Sequence, residues 1–247
     1  MIDWYGVARN RMVLVGAVLV IGVLLAGLLA PMISPNDPIK ITPDALAPPT
    51  REHPFGTDDL GRDILSRMLY GARISPIVGL IAVAISTVAG VSMGLVSGYA
   101  GGPADNVIMR VVDVLLSFPG IVLAIGIVAI LGPGLNHALL AVGIAGIPTF
   151  ARVVRGSVLV EKEKEYVEAA RLLGVPTPRL LLVHILPNVM APVIVLSTLS
   201  VATAILAAAA LSFVGLGAQL PTPEWGAMLS QGREYLASQW WVATFPG

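Results

Sequence analysis

Side chains able to do acid, base or metal chemistry are scarce in this chain, and three short stretches gather several of them. The first follows His53 and holds Asp58, Asp59 and Asp63. Three acids this close could hold a hard cation. Asp58–Arg62 and Asp63–Arg67 also stand at i,i+4, and Thr57 or Asp58 can cap a helix, so capping and solvated ion pairs account for them. The second stretch is Arg110 with Asp113, an i,i+3 pair beside an apolar run. Charge at a membrane edge is a functional candidate, with interfacial pairing as the plainer account. The third runs from Glu161 to Arg179, EKEKEYVEAARLLGVPTPR, and is the most charged part of the chain. His53 and His184 lie near prolines and His137 follows a turn, so each reads as a loop or interface residue rather than a base or ligand. There is no Cys. That excludes disulfides, thiolate metal sites and a cysteine nucleophile. No Gly-x-x-x-x-Gly-Lys-Ser/Thr phosphate loop occurs either. No catalytic residue, metal or cofactor is therefore expected, and what remains is the third stretch as a docking element.

That stretch reads as a helix over Leu159 to Leu173, with Tyr166, Ala169, Ala170 and Leu173 on one side at helical spacing. Glu161–Lys164, Lys162–Glu165 and Lys164–Glu168 decorate the rest as i,i+3 and i,i+4 pairs. Gly174 suits the positive-φ position that closes a helix. Val175-Pro176 cannot continue it. Thr177 then caps a second short helix with Pro178 in its first turn, which runs to Leu186 and stops at Pro187. The product is a stiff elbow. With little side chain at Ala169 and Ala170, another surface can come close, and Glu168 supplies one directional anchor. A re-entrant hairpin that merely joins two membrane helices fits the same residues.

The elements that must carry this elbow are greasy. The chain has 247 residues, 56% hydrophobic and 12% charged, against about 25% charged in a soluble domain. Its mean hydropathy of +0.85 places it among integral membrane proteins. Met12 to Ile33 carries no charge; at 1.5 Å per residue it spans about 33 Å, enough for a bilayer core and too long for a signal peptide. Ile74 to Tyr99 is a second span. Val114 to Ala151 is too long for one and divides at Gly132–Asn136 into a third, kinked at Pro119, and a fourth. Pro187 and Pro192 should break the next apolar run, leaving a fifth over Val193 to Gly215. Ahead of the second span, Leu60, Ile64, Leu65, Met68 and Leu69 predict a short amphipathic helix on the outer surface. The expected class is thus all-α integral membrane, with five spans.

Lys and Arg set the orientation. With the N-terminus inside, Arg9, Arg11, Arg110, Arg152, Arg155, Lys162, Lys164, Arg171 and Arg179 all fall inside, and only Arg233 follows the outward ends of spans three and five. The segment Ser34 to Arg73 runs against this with Lys40, Arg51, Arg62, Arg67 and Arg73; the contrast elsewhere decides. The third stretch is then cytoplasmic. Trp240 and Trp241 suit a membrane interface, just where a sixth apolar helix is expected, so the chain reads as C-terminally incomplete.

Glu168-Ala169-Ala170, then Gly174, then Leu186-Pro187 within His184-Ile-Leu-Pro-Asn188, resembles the EAA loop of binding-protein-dependent ABC importer permeases. Three further segments are similar to the dipeptide/oligopeptide branch of that family: His53–Arg73, Asp113–Ile125 and Leu211–Leu229. The family's Ile position is filled here by His184, with Ile185 beside it. The resemblance implies a non-catalytic permease subunit in the cytoplasmic (inner) membrane of a prokaryote. It implies six helices with both ends inside, a second homologous permease subunit, two ATP-binding subunits that hydrolyse ATP, and an extracytoplasmic solute-binding protein. No nucleic acid is implied. On this basis residues 1–73 form an N-terminal transmembrane helix with an external segment, and 74–247 the permease core. Tyr166, Glu168, Ala169, Ala170, Gly174, Pro176, Leu186 and Pro187 form an ATPase-coupling loop within about 155–190. The solute is a di- or oligopeptide, with nickel or another small solute as the alternative; substrate-contacting residues cannot be picked. A secondary transporter, from a different class, would show charged residues at mid-membrane, and no predicted span has one near its centre.

Overall fold

The computed structural model describes residues 11–247; Arg9 lies outside them. In chain order the helices are α1 (Arg11–Ile33), α2 (Ile64–Ala100), α3 (Gly102–Leu116), α4 (Gly120–Leu131), α5 (Leu135–Glu161), α6 (Glu165–Leu172), the single turn α7 (Thr177–Arg179), α8 (Leu186–Phe213), α9 (Trp225–Gly232) and α10 (Trp241–Thr244). A π-helical stretch, Leu180–Ile185, joins α7 to α8, and a 3-10 turn, Arg233–Tyr235, follows α9. Among the described residues the fold is helical, with one isolated bridge between Thr57 and Asp63.

Among the described residues four stretches are long and apolar enough to cross a membrane: Arg11–Ile33, Ile64–Ala100, Leu135–Glu161 and Thr177–Phe213. The pair α3 and α4 makes a fifth if it is one span, bent by 92°. The sequence reading needs correction here. The third span begins at Gly102, not Val114, and is broken rather than kinked. Pro119 disfavours helical geometry at Phe118 and becomes the N-cap of α4. Nor do Pro187 and Pro192 stop the last span. Pro187 lies in the first turn of α8, where a missing N–H costs little, and the wider π turn upstream gives its ring room. Pro192 is carried inside the helix.

The chain divides into two units, Met1–Ile77 with Ser212–Gly247, and Val78–Leu211. In the first, α1 buries only Gly27 and Ala30. A Cβ on Gly27 would meet the Ala72 carbonyl at 2.7 Å, so the backbones of α1 and α2 touch there. The predicted amphipathic helix over Leu60–Leu69 does not form separately. Asp58 accepts bonds from Leu60 N (3.0 Å) and Arg62 N (2.9 Å), which holds a turn, and α2 starts at Ile64 without a later stop. The ion pairs there are buried, not solvated: Arg62 is 1% exposed. Its Nε lies 2.7 Å from Asp58 Oδ2 and its Nη2 donates to Gln231 Oε1 at 3.1 Å. Asp63 does not pair with Arg67. It takes His53 Nδ1 (2.9 Å) and the Ser66 amide (2.8 Å) and hydroxyl (2.5 Å), while Arg67 reaches Pro38 O at 3.1 Å. Trp241 lies against an apolar cluster of Ile64, Met228 and Val242, with Phe55 stacked on Phe245 at 4.1 Å. Trp240, its neighbour, is half-exposed.

In the second unit, α2 and α5 pack through a stripe of glycines. A Cβ on Gly90, Gly94 or Gly98 would come within 2.4–2.8 Å of the Cβ of Phe150, Val154 or Val158. Small residues every fourth position let membrane helices approach this closely. The stripe ends in polar locks. Asp105 of α3 takes Arg155 Nε and Nη2, both at 2.6 Å, and the Ser97 hydroxyl. Asp113 pairs with Arg152 at 2.7 Å, not with Arg110 as the i,i+3 spacing predicts. The partner is 39 residues away, so sequence spacing carried no sign of it.

Candidate coupling loop

The elbow is built where α5 stops. The predicted helix over Leu159–Leu173 is two helices, because the chain turns at Lys162–Lys164 before α6 begins. Glu161, buried at the end of α5, pairs with Lys164 Nζ at 2.8 Å. Lys162 does not pair with Glu165; its Nζ donates to Gly98 O at 2.9 Å. Lys164 likewise does not pair with Glu168. That glutamate is exposed and its carboxylate has no partner among the described residues.

Val167 and Ala170 form the inner face of α6, which packs on the π-helical stretch, where Leu180 and Ile185 are fully buried. Ala169 faces out; Ala170 does not, so only one of the two alanines offers a close approach. Leu173 is likewise not on the packed side: Leu172 and Leu173 are 83% and 84% exposed. Both leucines stand bare at the tip of the turn.

Backbone hydrogen bonds close the turn. Gly174 N donates to Arg171 O (2.9 Å) and Val175 N to Ala170 O (3.1 Å), the paired bonds of a Schellman motif. Gly174 has φ 77° as the sequence predicts, and a Cβ there would meet nothing within 4 Å. The demand for glycine is therefore conformational and not steric. Pro176, not Thr177, is the N-cap of the single turn α7, with no side-chain cap bond, and Pro178 sits in the first turn. Leu186 and Pro187 open α8, Pro187 exposed.

Tyr166 ties the elbow to its supports. Its hydroxyl donates to Glu161 Oε1 at 2.5 Å, lies 3.2 Å from His184 O, and accepts from Asn188 Nδ2 at 3.0 Å. Asn188 Nδ2 also donates to His184 O at 2.7 Å. One phenol thus joins α6 to the end of α5 and the start of α8. Burial, and then Glu161 beside it, push the Tyr166 phenol up to about 12. Arg171 lies over the Tyr99 ring, 5.2 Å from its centroid, and adds a second tie to the end of α2. Glu161 and Asn188 were not among the sequence-predicted site residues; no helical register links positions 161, 166 and 188, so only the folded chain brings them together.

These helices have counterparts of known kind. A family model described as the binding-protein-dependent transport system inner membrane component matches residues 90–246. A second, the N-terminal TM domain of oligopeptide transport permease C, matches residues 4–49. The dipeptide transport system permease protein DppC of Alkalihalophilus pseudofirmus is 46% identical over 240 residues, 97% of this chain and 79% of that one. The di/tripeptide transport system permease protein DppC of Pseudomonas aeruginosa is 44% identical over 251 residues, 99% of this chain and 83% of that one. The dipeptide permease DppC of Escherichia coli is 46% identical over 251 residues, covering 99% and 84%. A chain of the methionine ABC transporter MetNI, in inward-facing conformations, superposes with a TM-score of 0.58 at 20% identity, over 73% of this chain and 86% of that one. It shows the fold. With a family model over well more than half its length and relatives this similar end to end, the chain belongs to the family of inner membrane components of binding-protein-dependent transport systems.

Proposed function

We propose that this chain is the transmembrane permease subunit of an ATP-driven importer of di- or oligopeptides, lodged in the cytoplasmic membrane of a prokaryote. It forms half of the translocation path. A second homologous permease forms the other half, two ATP-binding subunits hydrolyse ATP, and an extracytoplasmic protein delivers the solute. Residues 1–73 supply an N-terminal transmembrane helix and external segment; 74–247 supply the permease core.

The observation that carries the coupling role is the elbow. Its tip bears bare Leu172 and Leu173, Glu168 on α6 has no partner among the described residues, and its root is tied through Tyr166 to α5 and α8. A partner that grips the tip moves both membrane helices, because the Schellman closure and Pro176 leave little slack. Tyr166, Glu168, Ala169, Ala170, Gly174, Pro176, Leu186 and Pro187 are its working parts. This chain itself carries out no hydrolysis in this reading. The peptide assignment rests on relatives whose names state dipeptide or di/tripeptide transport.

The test is uptake by proteoliposomes holding both permeases, the ATP-binding subunits and the binding protein. Labelled dipeptide should accumulate only with ATP and only with the ATP-binding subunits present. Accumulation of nickel instead of dipeptide would overturn the peptide assignment, and accumulation without ATP-binding subunits would overturn the importer class.

A further inference from the structure

The second unit holds a cavity of about 320 Å³ among α2, α4, α5 and α8 that the coupling loop does not use. No charged side chain lines it; its polar groups are the hydroxyls of Ser86, Thr149, Ser200 and Thr203, set among small residues such as Gly146 and Ala204. The volume equals roughly ten waters and lies at the low end for ligand pockets.

The hydroxyls differ in how they are used. Ser86 turns to Ala82 O of its own helix at 3.1 Å and to Gly143 O of α5 at 2.6 Å, and Thr203 donates to Ser200 O at 3.0 Å. Ser92, Ser157 and Thr198 elsewhere in α2, α5 and α8 likewise turn back to carbonyls of their own helices. Such back-bonding is the usual fate of a hydroxyl in a membrane helix. Thr149 and Ser200 do otherwise: neither hydroxyl has a hydrogen-bond partner among the described residues, and both open on the cavity. A hydroxyl left bare in hydrocarbon is costly, so free ones belong where water or a polar solute passes.

We propose that this cavity is a contact site for the passing solute, and that Thr149 and Ser200 serve its amide groups. Resting on the permease reading, this names a site and a chemical class. A hydroxyl both donates and accepts, which matches the N–H and C=O of a peptide bond. The lining offers no imidazole, carboxylate or thiolate, so it cannot replace the hydration shell of a borderline metal cation. With no charge to hold the peptide termini, contact is weak, which suits a path that must release what it accepts.

The chain has no Cys, so single cysteines report cleanly. In the reconstituted complex, Thr149→Cys and Ser200→Cys should react with a charged, membrane-impermeant methanethiosulfonate in at least one nucleotide state. Labelled Ala-Ala dipeptide in transport buffer should slow that reaction. Thr149→Val should lower the dipeptide moved per ATP hydrolysed by about tenfold, the loss of one hydrogen bond in the path, and Thr149→Ser should restore it. Two inert cysteines in every nucleotide state, with Thr149→Val moving dipeptide at the wild-type ratio, would overturn the site. A wild-type complex that moves no dipeptide would instead overturn the permease reading, so the two failures are distinct.

Discussion

Gly174 and Tyr166 carry the elbow at the scale of single residues. Gly174 holds φ 77° in open space, so Gly174→Val meets no clash and suffers only from backbone strain. Left-handed geometry costs an ordinary residue about 1–2 kcal/mol, and a β-branched one no less. The turn should open, and binding-protein-stimulated ATPase activity of the assembled complex should fall; activity equal to wild type would refute a rigid elbow. Tyr166→Phe removes one hydroxyl and keeps the ring. It loses about 1 kcal/mol of hydrogen bonding and, more to the point, the tie between Glu161 and Asn188. ATP should still be hydrolysed while peptide uptake per ATP drops, as assayed side by side in one vesicle preparation. Burial and the Glu161 carboxylate push this phenol up from 10.0 to about 12. Its neutral form is therefore favoured by folding, the bond is intact below pH 10, and that stabilisation is lost as pH rises from 10 toward 12. A spectrophotometric titration of wild type minus Tyr166→Phe should show one phenol ionising late.

At the scale of elements, the glycine stripe governs how α5 sits on α2. A methyl on Gly94 would lie 2.7 Å from both Ala151 O and Val154 Cβ. Overpacking of this kind costs ~1–3 kcal/mol, so Gly94→Val should lower the melting temperature of the detergent-solubilised complex, and an unshifted melt would count against the tight crossing. The stripe also marks what periodicity conveys. Apolar runs announce the spans because a bilayer demands length and hydrophobicity and little else. That is why the end of α1 at Ile33 is legible to the residue. Ends and breaks are set by single contacts. α5 stops where Glu161 turns to Lys164 and Tyr166, and the last span runs through Pro187 because a π-helical stretch precedes it. The positive φ at Gly174 was legible because one residue type dictates it. Tyr166 could be placed on the loop but not given its partners, since Asn188 lies 22 residues on.

The largest scale concerns parts of the sequence far from each other. Arg62 meets Gln231 across 169 residues, so the segment before α2 and the segment after α8 close one buried network. Spacing alone reads Asp58 and Arg62 as a solvated pair, because i,i+4 geometry is the same in water and in a core. Removing one member of a buried pair strands the other and costs about 3–5 kcal/mol. Asp58→Ala should therefore destabilise the first unit and raise its susceptibility to added protease, whereas equal proteolysis of variant and wild type would show the network to be dispensable. What the molecule does as a transporter subunit rests on a different place, the tip of the elbow. Leu173→Cys, placed in this cysteine-free chain, sits on a residue 84% exposed. In membranes holding the whole complex, a short thiol-to-amine cross-linker anchored on that cysteine should join it to a lysine of an ATP-binding subunit, and that subunit's presence should shield it from a soluble label applied to the cytoplasmic side. Labelling from the external side of sealed cells, with no such cross-link, would contradict the account.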